Sequence, residues 1–319
     1  MHPVVSVGWL AQQLADQGLG NDEDHGGHHG DLVICDCRFA LADGGLGRSQ
    51  YHHQHIPGAH YLSLDQDLSG PVQRHGGRHP LPDLESFTAK LSSLGIGPNT
   101  TVIAYDDSRL AFAARLWWLL RHYLGHEQVA VLDGGWSAWV AASLPTTAQL
   151  PEWSGVVSVA TPEAGSGTAS GICLVPRSTP HRWVTIAQVK SRPATTILVD
   201  SRAPDRYRGE VEPIDPIAGH IPGAVNAFWQ DVTDEQGFVL SAAGQGDRWR
   251  RVDEAILPNA AANPAHAPAN VIVYCGSGVT ACVNLLSLEL AGITHARLYA
   301  GSWSDWCSYA EDCSQALES

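Results

Sequence analysis

Basic side chains are scarce in this chain of 319 residues. Nineteen lysines and arginines stand against 33 aspartates and glutamates, which gives a formal net charge of −14. Nucleic acids and anionic membrane surfaces bind proteins through clusters of lysine and arginine, so the composition argues against either partner. A well-hydrated acidic surface explains the charge without any special function.

Long apolar runs are also missing. No stretch approaches the ~20 apolar residues that a membrane-spanning helix needs. The first residues, Met1-His-Pro-Val-Val-Ser6, have neither the basic start nor the apolar segment of a secretory signal. The seven cysteines are odd in number and follow no disulfide spacing, which favours free thiols in a reducing compartment. We therefore expect a cytoplasmic protein without a membrane partner.

The chain does contain an internal repeat. His55-Ile-Pro-Gly-Ala59 recurs letter for letter as His220-Ile-Pro-Gly-Ala224. Further matches follow in the same order, with offsets of 164, 165, 169 and 167 residues for Asp36, His55, Tyr105 and Trp136. A nearly constant offset of this length indicates two homologous domains rather than a solenoid of short repeats. We predict domains over residues 1–148 and 181–319, joined by a linker over 149–180.

Short apolar strands alternate with helical stretches in each copy. A strand is predicted over 32–36 in the first copy. In the second copy we predict helices over 185–191 and 279–290, and strands over 197–200, near 225, over 271–274 and over 296–299. This alternation is typical of an α/β fold in which a mostly parallel sheet is flanked by helices.

The first copy carries about 15 additional residues in a stretch rich in glycine and histidine, near residues 18–31. Its histidines, His25, His28 and His29, resemble a metal-binding tract. Metal sites need a rigid scaffold and supporting second-shell contacts, so a solvated loop is the favoured interpretation. We predict neither a metal nor an organic cofactor.

The surroundings of Cys275 in the sequence predict a reactive thiol. It follows the apolar strand 271–274 and precedes the loop Gly276-Ser-Gly-Val-Thr280 and a predicted helix. Reactive groups of open α/β sheets lie at the carboxyl ends of strands, and backbone amides at a helix start stabilise a thiolate. Two glycines let the loop turn its N–H groups inward, so that it forms an anion-binding nest.

The repeat provides an internal comparison for this cysteine. In the first copy the equivalent position is Asp106, within Tyr105-Asp-Asp-Ser-Arg109. We therefore predict that the second domain is catalytic and that the first is not.

Two reaction classes use a cysteine in such a loop. Cysteine-dependent phosphatases place an arginine six positions after the cysteine, but that residue here is Ala281. Sulfur transfer needs only a nucleophilic thiolate and donors that hold the resulting persulfide. The loop therefore favours sulfur transfer over phosphatase chemistry.

Over nearly its whole length the chain resembles the two-domain rhodanese-type sulfurtransferases. The resemblance rests on Tyr51-x-x-x-His-Ile-Pro-Gly-Ala59, on the Asp-Gly-Gly-Trp136 and Ala-Gly-Ser-Trp303 segments, and on one loop cysteine. Within this family Cys-Gly-Ser-Gly-Val-Thr is similar to the loop of 3-mercaptopyruvate sulfurtransferases. Thiosulfate-using members carry basic residues where this chain has Gly276 and Ser277.

The resemblance implies roles for further residues. A Ser-His-Asp relay that protonates the pyruvate enolate would consist of Ser277, His79 and Asp65. Because His79 and Asp65 precede residue 148, this implies a site between the domains. Histidine suits proton transfer near neutral pH, and aspartate can fix its tautomer. The loop residues would hold the bound anion through their amides: Gly276, Gly278, Val279 and Thr280.

Two arginines bind the substrate carboxylate in the family. Arg206 matches the first, and a bidentate clamp suits its guanidinium. The second is expected nine residues later, where this chain has Asp215. Either Arg208 or another arginine substitutes, or carboxylate binding is weaker, or the preferred donor differs. Arg208 on its own is interpreted as a solvent-exposed charge.

The sequence therefore predicts an enzyme that moves sulfur from 3-mercaptopyruvate through a Cys275 persulfide to a small thiol, thioredoxin or cyanide. A thiosulfate:cyanide sulfurtransferase is one alternative. A persulfide carrier with little turnover is another. Cys282 is predicted to be a core residue, and a resolving cysteine could only be Cys307 or Cys313.

Overall fold

The computed structural model describes residues 1–16, 32–151, 174, 179–254 and 270–317, with side chains in the last helix as far as Tyr309. The chain forms two compact units. The first comprises Met1–Leu68 and Pro82–Thr179, and the second comprises Ser69–Leu81 and Pro180–Ser319. We call Ser69–Leu81 the strap, because this short stretch from the first half of the chain packs with the second unit.

The domain boundaries expected from the sequence, 1–148 and 181–319, remain predictions. Most of the predicted linker over 149–180 lies outside the described residues, as does the stretch 18–31 with His25, His28 and His29.

Within its described residues the first unit contains one parallel five-stranded sheet of order β1-β5-β4-β2-β3. Its strands are β1 (Val4–Val5), β2 (Leu32–Asp36), β3 (Ala59–Tyr61), β4 (Thr101–Tyr105) and β5 (Val129–Leu132). Its helices are α1 (Val7–Asp16), α2 (Leu46–His53), α3 (Leu84–Ser93), α4 (Ala113–Trp118), which continues as a π-helical segment over Leu119–Tyr123, and α5 (Gly135–Ala141).

The described part of the second unit repeats this arrangement, with a parallel sheet of order β6-β10-β9-β7-β8. Its strands are β6 (Trp183–Val184), β7 (Ile197–Asp200), β8 (Ala224–Asn226), β9 (Val271–Tyr274) and β10 (Arg297–Tyr299). Its helices are α6 (Ile186–Lys190), α7 (Pro204–Arg208), α8 (Ala242–Val252), α9 (Ala281–Leu290) and α10 (Ser302–Leu317), with 3-10 turns over Pro180–Arg182 and Trp229–Val232.

The predicted parallel α/β fold is confirmed in both units. The strands expected over 32–36, 197–200 and 271–274 have the predicted bounds. The two predicted helices are shorter than expected: α6 lacks one residue at each end of its predicted range, and α9 lacks two at its start. Thr185 is the N-cap of α6 and accepts a hydrogen bond from the Gln188 amide, and residues 279–280 still belong to the loop before α9.

The repeated motifs converge on one buried network in each unit. Asp36 accepts hydrogen bonds from Arg38 at 2.6 Å and from the Tyr105 hydroxyl at 2.7 Å. The same tyrosine oxygen accepts the Ile56 amide of the His-Ile-Pro-Gly-Ala turn at 3.3 Å. In the second unit Arg202 donates to Asp200 at 2.7 Å, and the Ile221 amide donates to Tyr274 at 3.1 Å. The duplication is therefore preserved at the level of individual hydrogen bonds.

These networks tie the turn formed by each HIPGA motif to the middle strand of its sheet. The motif histidine bonds the backbone in both units: His55 Nδ1 lies 2.7 Å from the Tyr51 carbonyl oxygen, and His220 Nδ1 lies 2.7 Å from that of Tyr207. Among the helices of the described residues, none is both long and apolar enough to span a membrane.

Candidate active site

Cys275 lies at the carboxyl end of β9, the middle strand of the second sheet. Four consecutive buried apolar and aromatic residues form this strand, and the polypeptide then turns through Gly276–Thr280 into α9. The strand therefore fixes the sulfur at the sheet edge where α/β proteins bind their ligands. This placement agrees with the expectation from the sequence.

The Cys275 side chain is only 2% exposed, and the Gly278 amide donates to its sulfur at 3.2 Å. Gly278 has a φ of 79°, and a Cβ at this position would overlap the carbonyl oxygen of Ala300. Glycine is therefore required both by the backbone conformation and by the space available. The resulting turn aims an N–H group at the sulfur, where it can stabilise a thiolate or a persulfide anion.

The first residues of α10 hold the Cys275 loop in place by hydrogen bonds. The Cys275 amide donates to Ser302 Oγ at 3.2 Å, and its carbonyl accepts from the Trp303 amide at 3.0 Å. The Ser304 amide donates to the Gly276 carbonyl at 2.9 Å. Since the backbone groups beside the sulfur are hydrogen-bonded in this way, the loop is preorganised rather than shaped by a ligand.

Ser277 and His79, two members of the expected relay, are brought together. Ser277 Oγ lies 2.7 Å from His79 Nδ1, and both residues are buried. His79 reaches this position because it belongs to the strap. The placement corrects one expectation: His79 is part of the second unit, not of the first.

The strap is attached to α10 by several polar contacts. The Gly76 amide donates to Asp305 Oδ1 at 2.7 Å, and the Arg78 amide donates to Ser304 Oγ at 3.2 Å. The His75 ring stacks on Tyr309 with ring centroids 4.0 Å apart. These contacts orient Arg78 and His79 towards the Cys275 loop.

Asp65, the third member of the expected relay, belongs to the first unit. It is exposed and follows β3 in an irregular segment. A contact between Asp65 and His79 remains a prediction.

Arg206 projects from α7 and is held by two carboxylates. Its Nη2 donates to Glu212 Oε1 at 2.6 Å and to Asp215 Oδ2 at 3.2 Å. Arg208, one candidate for the expected second arginine, is exposed and pairs with Glu210. This agrees with its interpretation as a surface charge.

Arg78 is the functional candidate that sequence reasoning missed. Its Nη1 forms an ion pair with Asp215 Oδ1. Its Nη2 lies 3.0 Å from the position that a Cβ on Gly276 would occupy. The signal was the arginine directly before His79, but without the fold nothing indicated that the strap reaches the Cys275 loop.

The carboxylates around these arginines titrate differently from free acids. Burial on its own favours the neutral acid at Glu212, but hydrogen bonds from Arg206 and from the amides of Asp215 and Ile214 hold its pKa below the usual value. Burial raises the pKa of Asp215, although the nearby Arg78 works in the opposite direction. Both acids are placed to balance the charge of the arginines.

Asp106 shows what the same loop does without a cysteine. Its carboxylate accepts four backbone hydrogen bonds from its own loop, at 2.8 to 3.0 Å, from the amides of Ser108, Leu110, Phe112 and Ala113. Arg109, at the position of Gly278, also has a positive φ of 55°. The first loop is thus an anion nest already filled by its own side chain.

Two other cysteines of the second unit are buried. Cys282 is fully buried in α9 and donates to the Gly278 carbonyl at 3.4 Å, which confirms it as a core residue. Burial raises the pKa of Cys307 to about 12, with a further contribution from Asp215. A thiol with this pKa stays protonated near neutral pH, which argues against Cys307 as a resolving nucleophile. The side chain of Cys313 lies outside the described residues.

Comparison with known proteins identifies the family. Residues 19–142 and 185–309 each match the model of the rhodanese-like domain. The chain belongs to the rhodanese-like domain family. The strap lies within the first matched stretch, whereas the Cys275 loop lies within the second, so the second unit combines residues from both rhodanese-like sequences.

Several relatives resemble the chain over most of its length. A Pseudomonas aeruginosa protein named a probable 3-mercaptopyruvate sulfurtransferase is 43% identical over 284 residues, which cover 86% of this chain and 89% of that protein. An Arabidopsis thaliana thiosulfate/3-mercaptopyruvate sulfurtransferase is 32% identical over 317 residues, which cover 96% of this chain and 84% of that protein. The structure of 3-mercaptopyruvate sulfurtransferase from Leishmania major aligns with a TM-score of 0.71 at 27% identity, covering 97% of this chain and 75% of that one.

Proposed function

We propose that the chain is a sulfurtransferase that moves sulfur from 3-mercaptopyruvate through a persulfide on Cys275 to a thiol or cyanide acceptor. The observation that carries this proposal is the buried Cys275 sulfur at the end of β9, under the Gly278 amide. The relatives named as 3-mercaptopyruvate sulfurtransferases support the choice of donor.

In the first half-reaction the Cys275 thiolate attacks the donor sulfur. The new S–S bond forms as the C–S bond of the donor breaks, and the electron pair of that bond leaves with carbon as the pyruvate enolate. The donor's thiol hydrogen stays on the transferred sulfur, so the product is a Cys275 persulfide. The amide of Gly278 stabilises the anionic form of the persulfide. Sulfur itself is the electrophile, so this step requires no redox cofactor.

The enolate must then gain one proton to become pyruvate. Ser277 is the proposed donor, since its hydroxyl lies next to the loop and 2.7 Å from His79 Nδ1. His79 replaces the proton that Ser277 gives up, and Asp65 is the proposed partner that fixes the tautomer of His79. Arg206 is proposed to bind the carboxylate of the donor, together with the amides of Gly276, Gly278, Val279 and Thr280.

In the second half-reaction an acceptor attacks the outer sulfur of the persulfide. A thiolate acceptor leaves as a persulfide and cyanide leaves as thiocyanate, and the Cys275 thiolate is regenerated in both cases. A small thiol, cyanide and thioredoxin are the acceptors we propose. A cytoplasmic location remains an expectation from the sequence.

Thiosulfate is the second candidate donor, favoured by the relative named as a thiosulfate/3-mercaptopyruvate sulfurtransferase. A persulfide carrier with little turnover is the alternative outside enzymes. The three functions differ in measurable products. A mercaptopyruvate enzyme releases pyruvate, a thiosulfate enzyme releases sulfite with higher efficiency, and a carrier releases neither at a catalytic rate.

The test is a steady-state assay with each donor and with cyanide as the acceptor. We expect kcat/KM for 3-mercaptopyruvate to exceed that for thiosulfate, with one thiocyanate formed per pyruvate. Cys275→Ser should abolish turnover, whereas Cys282→Ser, which keeps a hydrogen-bond donor towards Gly278, should retain it. Turnover that survives in Cys275→Ser would refute the proposed nucleophile, and faster release of sulfite would refute the proposed donor.

A further inference from the structure

We propose that the hydroxyl of Ser201 donates a hydrogen bond to the outer sulfur of the Cys275 persulfide, and that a buried polar chain positions this hydroxyl. The chain consists of Arg248, Asn284 and Ser201 itself. The inference rests on the proposed function, because it concerns the persulfide of that reaction. It assigns to Ser201 a direct contact with the transferred sulfur, and to Asn284 and Arg248 the task of orienting the Ser201 hydroxyl.

Ser201 and Cys275 occupy neighbouring positions at the ends of two adjacent strands. Asp200 of β7 pairs in register with Tyr274 of β9, and the Ser201 amide continues the ladder by donating to the Tyr274 carbonyl at 2.8 Å. Successive side chains of a strand alternate between the two faces of a sheet, and adjacent strands lie about 4.8 Å apart. The residues that follow the Asp200–Tyr274 pair, Ser201 and Cys275, therefore lie side by side on the same face.

The hydrogen bonds of Asn284 in α9 determine how the Ser201 hydroxyl is oriented. Asn284 Nδ2 donates to the Ala227 carbonyl at 2.7 Å and to Ser201 Oγ at 2.8 Å. Asn284 Oδ1 accepts from Arg248 Nη2 at 2.8 Å. Because a carbonyl oxygen can only accept and an arginine can only donate, the Asn284 amide has one orientation that satisfies both. Ser201 Oγ is thus an acceptor towards Asn284, and its own hydrogen points elsewhere.

The Ser201 hydroxyl is fully buried, and among the described contacts it donates to no acceptor. Two other serine hydroxyls near Cys275 are already engaged: Ser277 Oγ lies 2.7 Å from His79 Nδ1, and Ser302 Oγ donates to a carbonyl oxygen of β10 at 2.9 Å. The persulfide is longer than the thiol by one S–S bond of about 2.0 Å, which brings its outer sulfur within reach of a donor on the neighbouring strand. An anionic sulfur in so buried a site needs such donors.

Arg248 of α8 places a positive charge at the other end of the chain. It is 4% exposed, and its Nη2 donates to the Phe228 carbonyl as well as to Asn284. Among the described residues its Nε and Nη1 have no hydrogen-bond partner. Burial lowers the pKa of Arg248 to about 10, although Asp231 works in the opposite direction, so the side chain stays charged near neutral pH. A buried cation polarises the amide it contacts, and hydrogen bonds in a chain strengthen one another, which makes the Ser201 hydroxyl a better donor.

The first unit has different residues at the positions of this chain. By the offset of 164 residues, Cys37 stands at the position of Ser201. By the offset of 169 residues, Arg115 stands at the position of Asn284. Arginine carries only hydrogen-bond donors, so Arg115 cannot accept from a second arginine as Asn284 does. The polar chain therefore occurs in the copy that has the loop cysteine and is replaced in the copy that does not.

The test measures how strongly Cys275 retains sulfur in exchange with a small thiol. The protein is equilibrated with glutathione and glutathione persulfide and quenched with iodoacetamide. The mass of the peptide that contains Cys275 then gives the fraction with an additional sulfur atom. In this exchange the Cys275 thiolate attacks the outer sulfur of glutathione persulfide, and glutathione leaves as its thiolate. The measurement therefore needs no turnover of 3-mercaptopyruvate.

We expect the exchange constant to fall roughly tenfold in Ser201→Ala, the effect of losing one hydrogen bond to an anion. Arg248→Met should lower it less, because the hydroxyl remains and only the charge that polarises Asn284 is lost. Thr196→Val is the matched control, since it removes another buried hydroxyl just before β7, at the opposite end of the strand. It should leave the constant within about twofold, as should alkylation of the free Cys275 thiol by iodoacetamide in all three variants.

Several outcomes would overturn the role of Ser201. One is an unchanged exchange constant in Ser201→Ala. Another is an equal change in the alkylation rate of the free thiol, which would indicate a distorted loop instead of a lost hydrogen bond. An equal fall in Thr196→Val would mean that the site does not depend on this particular hydroxyl, and no fall in Arg248→Met would remove the positioning role of Arg248. If the wild type exchanges sulfur as expected but does not turn over 3-mercaptopyruvate, the proposed donor is refuted while the role of Ser201 is still decided.

Discussion

At the level of single residues, positions 106 and 275 occupy the same place in two copies of one loop. The carboxylate of Asp106 takes up four amides of its own loop, whereas the sulfur of Cys275 accepts the amide of Gly278. Asp106 fills its nest with its own carboxylate, whereas Cys275 is proposed to gain and lose a sulfur atom. This difference explains why only the second copy is proposed to be catalytic.

The role of Asp106 predicts a structural penalty when it is removed. Asp106→Ala would leave four buried amides without their acceptor. Because each orphaned buried N–H costs roughly 1–3 kcal/mol, we expect a loss of about 3 kcal/mol or more in the free energy of unfolding, measured by denaturant titration. Asp106→Asn keeps one acceptor oxygen and should lose less. Asp107→Ala, at the exposed neighbouring position, should change stability little. Equal effects of Asp106→Ala and Asp107→Ala would contradict this account.

Buried His126 is expected to make the stability of the first unit depend on pH. Its Nε2 lies 2.8 Å from the Thr100 carbonyl oxygen, and burial lowers its pKa below 6.5, although the bond to Thr100 works in the opposite direction. The folded state therefore favours the neutral ring, and the unfolded state binds more protons as the pH falls below about 6.5. The contribution of His126 to the free energy of unfolding should be fully present above that pH and should decrease below it.

The measurement is the thermal midpoint between pH 7.5 and pH 5.0 for the wild type and for His126→Gln, whose amide can still donate to Thr100. All titratable groups other than His126 are the same in the two proteins. The difference between their thermal midpoints at each pH therefore reports the effect of His126. We expect the wild type to lose more stability than the variant as the pH falls. A difference that does not vary with pH would show that His126 does not carry this effect.

At the level of elements, the strap is the segment on which the candidate site most depends. It has no helical or strand periodicity, yet it supplies both Arg78 and His79 and is attached to α10. The strap passes close to Gly301 at Gly77, where a Cβ would overlap the Gly301 carbonyl oxygen. The φ of Gly77 is 83°. The neighbouring Gly76 also has a positive φ, of 101°, but has open space around its Cα.

This pair of glycines offers a matched test. Gly76→Ala and Gly77→Ala both impose the cost of a side chain at positive φ, about 1–2 kcal/mol, but only Gly77→Ala also pushes the strap away from Gly301. We expect Gly77→Ala to lower kcat/KM for 3-mercaptopyruvate at least tenfold more than Gly76→Ala does. Similar kinetics for the two variants would mean that the strap does not position the site.

The sequence predicts the strands and helices of the fold better than it predicts which residues contact each other at the candidate site. Apolar runs define β7 and β9, whose predicted bounds match the structure. The pairing of Ser277 with His79 follows only from the family resemblance, since 198 residues separate them. The contact of Arg78 with Asp215 has no sequence signal, because it depends on how an aperiodic segment packs within the second unit.

At the level of the whole molecule, duplication has left two sheets of the same topology with different loops after the middle strand. One rhodanese-like sequence contributes Cys275, the proposed nucleophile, and Arg206, and the other contributes the strap. A substitution in residues 69–81 is therefore expected to affect the candidate site in the same way as a substitution elsewhere in the second unit. This expectation follows from the grouping of the strap with residues 180–319 in one compact unit.

The central claim is that Cys275 carries the transferred sulfur. It is tested most directly by treating the protein with 3-mercaptopyruvate in the absence of an acceptor and measuring the mass of the peptide that contains Cys275. The account predicts a gain of one sulfur atom on that peptide, which disappears when cyanide is added and thiocyanate is formed. A sulfur adduct on any other cysteine, or an adduct that persists in Cys275→Ser, would contradict it.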